Sequence, residues 1–154
     1  MSDYGTTPPP PPPQDPNQPG VGANYALWPK RVLSYLIDFA ILIPAYVVYF
    51  VGLAIGDAFG LLIAFVGLIG MIGIAVWNIC LKQGSTGQTV GKGVIGTKLI
   101  GEETGQPIGA LMAFVRQLAH ILDGFCFIGY LWPLWDDKRQ TFADKIMKTI
   151  VVEV

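Results

Sequence analysis

The stretch that decides the fold is Val32–Gly56, VLSYLIDFAILIPAYVVYFVGLAIG, followed after Asp57 by Ala58–Leu81, AFGLLIAFVGLIGMIGIAVWNICL. Each run is long enough to cross the ~30 Å hydrocarbon layer of a bilayer, which takes about 20 helical residues. Between Asp38 and Lys82 the only charge is Asp57. The turn around Gly56, Asp57 and Gly60 is too short to hold a domain, so the runs are expected as antiparallel neighbours, an all-α transmembrane hairpin. Gly52, Gly56 and Gly60 recur every four residues and Gly67, Gly70 and Gly73 every three. Small residues at those spacings let helix backbones approach.

The flanks orient the hairpin. Trp28 suits the membrane interface, Pro29 fits a first helical turn, and Lys30 and Arg31 belong among cytoplasmic head groups. Lys82, Lys92 and Lys98 follow the second run and nothing basic lies in the turn, so both long ends are expected in the cytoplasm. The expected location is a bacterial cytoplasmic membrane, multi-pass, with the N-terminus inside. Composition agrees: of 154 residues 52% are apolar and 14% charged, against roughly 25% charged in an average soluble domain. A secreted domain, a soluble enzyme and a nucleic-acid binder are excluded, since a net charge of −1 offers no basic field to phosphate backbones. Cys80 and Cys126 lie in apolar surroundings and suggest neither a disulfide framework nor a zinc site.

Residues 1–27 hold eight of the twelve prolines, including the unbroken run Pro8–Pro13. With almost no apolar side chains to bury, this tail is expected to stay disordered as a cytoplasmic spacer, its proline run favouring polyproline II. The membrane domain then spans 28–154. After the second run, the Gly91-Lys92 pair invites a phosphate-loop reading that fails on spacing, because Thr86 and Gly93 stand where that loop needs Gly and Ser or Thr. Val94–Ile100 and Thr149–Val154 read as short strands able to pair as a cytoplasmic ribbon. The segment at about 110–134 has an apolar core, Gly124–Leu134, too short to span alone. Lys138, Arg139, Lys145 and Lys148 after it favour a return to the cytoplasm, as an interfacial amphipathic helix or a re-entrant one hinged near Gly124; a full third span stays open.

Asp38 is the most informative residue, because it lies about 10 Å inside the first run from Arg31 and intramembrane carboxylates are functional candidates by default. Arg31, Ser34 or Tyr35, and Asp38 recur at helical spacing and are expected to face the bundle. Arg116, His120 and Asp123 form a companion face on the third segment. These faces are expected to meet, with Asp38 compensated by Arg116 or His120. The cluster reads either as a cation or proton site or as interhelical glue. Asp57 reads as a solvated loop residue.

At these residues the chain resembles the RDD family of bacterial membrane proteins, named for an arginine and two aspartates. Arg31 with Asp38 carries the resemblance, as do Arg116 and the loop GQTVGKGVIGTKLI, with Gly87, Gln88, Thr89, Gly91 and Lys92. The most specific match is WDDKRQTFADKIMKTIVV, Trp135–Val152, with Arg139, Gln140, Thr141, Asp144 and Thr149 in order. Ala143 departs from it, standing where many relatives carry histidine, so no proton or metal role rests on that position. The second naming aspartate is Asp123 or Asp144. The resemblance implies small two- or three-span proteins, some suggested to move ions or other solutes, occurring beside or fused to other membrane modules.

The expected function is an accessory or scaffold subunit of a larger membrane assembly, in contact with the lipid bilayer and with a membrane-protein partner or further copies of itself. The alternative is an oligomeric exchanger of a monovalent cation for a proton, or another small-solute transporter, using Asp38. No cofactor, metal site or catalytic residue is expected, because no nucleophile and base pair appears at motif quality.

Overall fold

The computed structural model describes residues 24–124 and 127–154. The proline run and Cys126 lie outside the described residues. The first apolar run folds as two helices, α1 (Trp28–Ala40) and α2 (Ile43–Ile55), bent by 45°. The run expected as a span over 32–56 is thus a bent pair of helices that together are long and apolar enough for one crossing. Pro44 has no N–H for the carbonyl of Ala40, and its ring crowds that carbonyl, so a new helix starts with Pro44 in its first turn. α2 ends at Gly56, whose φ of 76° is the left-handed conformation glycine accepts without strain. Asp57 is an exposed turn residue, and its carboxylate accepts Gly60 N at 2.7 Å and caps the next helix.

The second run extends past Leu81. α3 (Ala58–Ala75) continues through a π-helical segment (Val76–Lys82) into α4 (Gln83–Thr86), one helix of 29 residues. It is long and apolar enough to cross a membrane. By length and composition the described residues contain up to three such crossings if each bent pair counts as one. The second bent pair is α6 (Ala110–Asp123) with α7 (Ile128–Leu131) and its 3-10 extension Trp132–Leu134, meeting at 106°.

α2 packs along α3 where Gly52, Gly60, Ala64 and Gly67 are buried. A Cβ on Gly52 would stand 2.3 Å from Ala64 N, and one on Gly67 2.5 Å from Tyr49 N. Gly70 and Gly73, read from their spacing as part of this contact, are not pressed: a Cβ on Gly70 meets Ala45 Cβ at 3.7 Å, and one on Gly73 meets nothing within 4 Å.

α5 (Val90–Ile95) and α8 (Phe142–Ile146) are short helices, and β1 (Thr97–Gly101) pairs antiparallel with β2 (Thr149–Glu153), Thr97 opposite Glu153 and Gly101 opposite Thr149. The first strand begins three residues later than its β-rich composition suggested. The Thr89 side chain caps α5 and left-handed Gly96 ends it, which assigns Val94 and Ile95 to a helix. Tyr25 bridges to Val152, and Ala26 is buried with Leu99 and Val151, so the folded domain starts before Trp28.

Polarity is inverted relative to a water-soluble domain. α6 exposes Leu111, Phe114, Leu118 and Ile121 while burying Arg116 and Asp123; α1 exposes Leu33, Leu36 and Phe39 while burying Ser34. Buried polar side chains include Asn78, Gln83, Thr97, Gln140, Asp144 and Thr149. Such a molecule is stable only where its outward faces meet lipid or protein.

Candidate functional site

Three carboxylates organise this polar interior, and the partners of Asp38 are not those that spacing suggested. Asp38 is compensated by neither Arg116 nor His120. Its Oδ1 accepts Asn78 Nδ2 and the backbone N–H of Gly91, both at 2.8 Å. Asn78 in turn accepts Val90 N at 2.8 Å through Oδ1, and Thr89 Oγ1 accepts Lys92 N at 3.1 Å. The first-turn N–H groups of α5, which have no partner within the helix, are thereby satisfied by three side chains. Two of them come from the long apolar helices. The approach requires glycine at 91: a Cβ there would lie 1.9 Å from the carbonyl oxygen of Ser34.

Asp144, wholly buried, joins the two arginines. Arg31 Nη1 donates to its Oδ2 at 2.7 Å, while Arg116 donates to Oδ1 from Nη2 at 2.6 Å and from Nε at 3.0 Å. Thr149 Oγ1 adds a bond to Oδ1 at 3.1 Å. Thr141 and Asp144 form a reciprocal capping box at the start of α8, a Thr-x-x-Asp pattern that the sequence displays openly. Burial alone would raise the Asp144 pKa; the guanidiniums of Arg116 and Arg31 reverse that and hold it well below the usual carboxylate range. The two polar faces do meet, but through a carboxylate from outside both.

Asp123 serves α8 as well, accepting Phe142 N at 2.8 Å and Ala143 N at 3.2 Å through Oδ1. His120 Nδ1 lies 2.5 Å from Asp123 Oδ2, and its ring stacks on Tyr130.

The remaining motif residues brace the junction. Gly87 is left-handed, and its carbonyl accepts Leu99 N at 2.7 Å. Gln88 Nε2 donates to Thr97 O at 3.0 Å, and Gln140 Nε2 to Thr149 O at 2.8 Å. Lys92 Nζ donates to Gln83 Oε1 at 2.9 Å. Burial first, then Arg116 and Arg31, lower the Lys92 pKa to about 8 against the opposing pull of Asp38 and Asp144. Arg139 stands apart, at the rim of a groove beside Trp135. Asn78 and Gln83 were missed from sequence, although an amide inside an apolar helix is itself a signal.

Fold and site together define a small helical, membrane-associated protein whose distant segments are tied by an Arg–Asp–Arg bridge and a capped loop helix. Residues 25–148 match the RDD family, and the chain belongs to it. It is 39% identical over 156 residues to a protein of Mycobacterium leprae (strain TN) named Proline-rich antigen, covering 84% of this chain and 61% of that one. It is 49% identical over 96 residues to the Proline-rich antigen homolog of Mycobacterium tuberculosis (strain ATCC 25618 / H37Rv), covering 62% of this chain and 40% of that one. The chain thus spans less than two thirds of the length of these relatives. No solved structure matches it.

Proposed function

We propose that the chain is a non-enzymatic accessory or scaffold subunit of a larger assembly in a bacterial cytoplasmic membrane. The observation that carries this reading is how the polar groups are used. Asp38, Asp123 and Asp144 accept hydrogen bonds from fixed backbone, amide or guanidinium donors, the arrangement of docking glue. The outward faces of α1, α2, α3 and α6 carry the apolar area that lipid or a partner covers. In this reading α1 with α2 forms one crossing and the 29-residue helix the return. The third segment bends back without leaving on the far side. Its 106° bend supports that return, as do the Tyr25–Val152 bridge and the Lys30–Glu153 pair, which hold the start of α1 and the end of β2 together. Positive-inside logic puts that end in the cytoplasm.

A second reading, cation/proton exchange, is favoured by one observation: Lys92, buried and bonded to Gln83, has its pKa brought down to about 8 by burial and by Arg116 and Arg31. Everted vesicles separate the two. The scaffold reading expects a sodium or potassium pulse to leave an imposed pH gradient unchanged in wild type and Asp38→Asn alike. It also expects photocrosslinkers at outward Phe65 and Leu118 to capture discrete protein bands. Gradient collapse in wild type that Asp38→Asn abolishes, with crosslinks only to lipid, would overturn it.

A further inference from the structure

A groove outside the junction lies at the start of α1. It has a volume of about 410 Å³, and its walls include Trp28, Pro29, Pro133, Leu134, Trp135 and Arg139. We propose that this groove is the docking site for the chain's own proline run, Pro8–Pro13, seated as a polyproline II segment.

The chemistry of the walls fits that ligand. Aromatic and proline surfaces are what polyproline II segments dock against, and a preformed helix of that kind loses little entropy on binding. Trp135 is 56% exposed, a costly state for an indole unless something covers it. Proline residues bring carbonyl acceptors and no N–H donors, so their site must supply donors. Arg139 supplies a guanidinium. Arg139 is also held at φ 52° by its N–H bond to Asp136 O at 3.0 Å, a strained conformation for a non-glycine residue on a groove wall.

Connectivity favours the same occupant. The described chain starts at Asn24, whose carbonyl accepts Glu153 N at 2.8 Å, and it reaches the groove wall at Leu27 and Trp28. Eleven residue steps separate Pro13 from Asn24, a link that extends at most about 36 Å and as a coil averages about 18 Å. Gly20 and Gly22 in that link allow the chain to double back. A tether this short holds the run at millimolar effective concentration. The wall carries Asp136 and Asp137 beside Arg139, so its aromatic and proline surfaces rather than its net charge select the tail, which holds Asp3 and Asp15 and no Lys or Arg.

The test uses the full chain in lipid nanodiscs, labelled with 5-fluorotryptophan at its four Trp positions. A nitroxide is attached at Pro10→Cys in a Cys80→Ser, Cys126→Ser background that retains the wild-type fluorine spectrum. The proposal expects the Trp28 and Trp135 lines to broaden beyond detection while Trp77, on the π-helical segment, persists. It further expects recovery of both lines when the remaining prolines of the run become Ser. Four unaffected lines, or four equally broadened ones, overturn it. Nitroxide on one chain broadening fluorine lines of another means that a second copy's tail fills the groove, which refutes the same-chain assignment. Trp28 and Trp135 lines that respond to anionic lipid but not to the proline replacements mean that head groups occupy the groove, which refutes it equally.

Discussion

Replacing Asp144 by Asn keeps the shape of the side chain and removes its charge, leaving the buried Arg116 and the partly buried Arg31 as cations without their shared counter-ion. Wild-type Asp144 is wholly buried and accepts from Arg31 Nη1 at 2.7 Å, Arg116 Nη2 at 2.6 Å and Thr149 Oγ1 at 3.1 Å. Removing one partner of a buried ion pair costs about 3–5 kcal/mol. Asn retains one oxygen for Thr141 N, but its N–H₂ then faces the Arg116 and Thr149 donors, so the cost is expected to be at least about 3 kcal/mol, on the order of a hundredfold or more in the unfolding equilibrium. Unfolding in mixed micelles by a rising fraction of anionic detergent, followed by tryptophan fluorescence, measures this for Asp144→Asn, Arg116→Gln and the double variant. The double variant is expected to cost less than the sum of the singles by about 1 kcal/mol or more, since the groups touch. The pH dependence carries a second signature. The folded-state pKa of Asp144 lies below its unfolded value of about 3.9, so its stabilisation is complete above that pH and is lost as the pH falls through the folded value. Asp144→Asn should lack that acid limb. A cost below about 0.5 kcal/mol, or strictly additive singles, would refute the reasoning.

Three further outcomes follow from the packing and charge. Gly91→Ala drives a Cβ to 1.9 Å from Ser34 O, so it should cost at least the ~3 kcal/mol upper range of overpacking and release α5, read as new hydrogen exchange at Val90 and Gly91. Gly52→Ala and Gly67→Ala should each cost about 1–3 kcal/mol in the same micelle assay, whereas Gly73→Ala, whose Cβ meets nothing within 4 Å, should be neutral or stabilising by up to about 1 kcal/mol. Lys92 gives up its proton near pH 8 when folded and near 10.4 when unfolded; between those values the unfolded chain binds more protons, so wild-type stability should rise with pH. Lys92→Met should show no such rise over that interval.

The apolar runs were legible because 20 lipid-soluble residues have few other uses. The break before Pro44 was equally visible in the letters, but membrane helices often absorb a proline, so the residue alone does not say whether the helix bends. Periodicity identified the inward face of α1, where Ser34 is buried and Tyr35 is 69% exposed. It did not identify what that face meets. Asp38 finds Asn78 and the N–H of Gly91, 53 residues away, because the Thr89 cap and left-handed Gly96 turn a glycine-rich stretch into a helix whose first turn needs acceptors. Those caps are local signals, as is the Thr141-x-x-Asp144 box. The claim of Asp144 on both arginines is not local, since helical spacing relates residues within one segment and this bridge joins three.

That bridge also orders biogenesis. Arg31 is made with α1, Arg116 with α6 and Asp144 only afterwards, so a nascent chain that has passed Arg116 but not reached Asp144 holds two arginines without their shared counter-ion. The Asp144 end of the bridge stays missing until this last stretch docks. A chain cut short before Asp144 is therefore electrostatically unfinished, with cations exposed to water and to quality-control proteases.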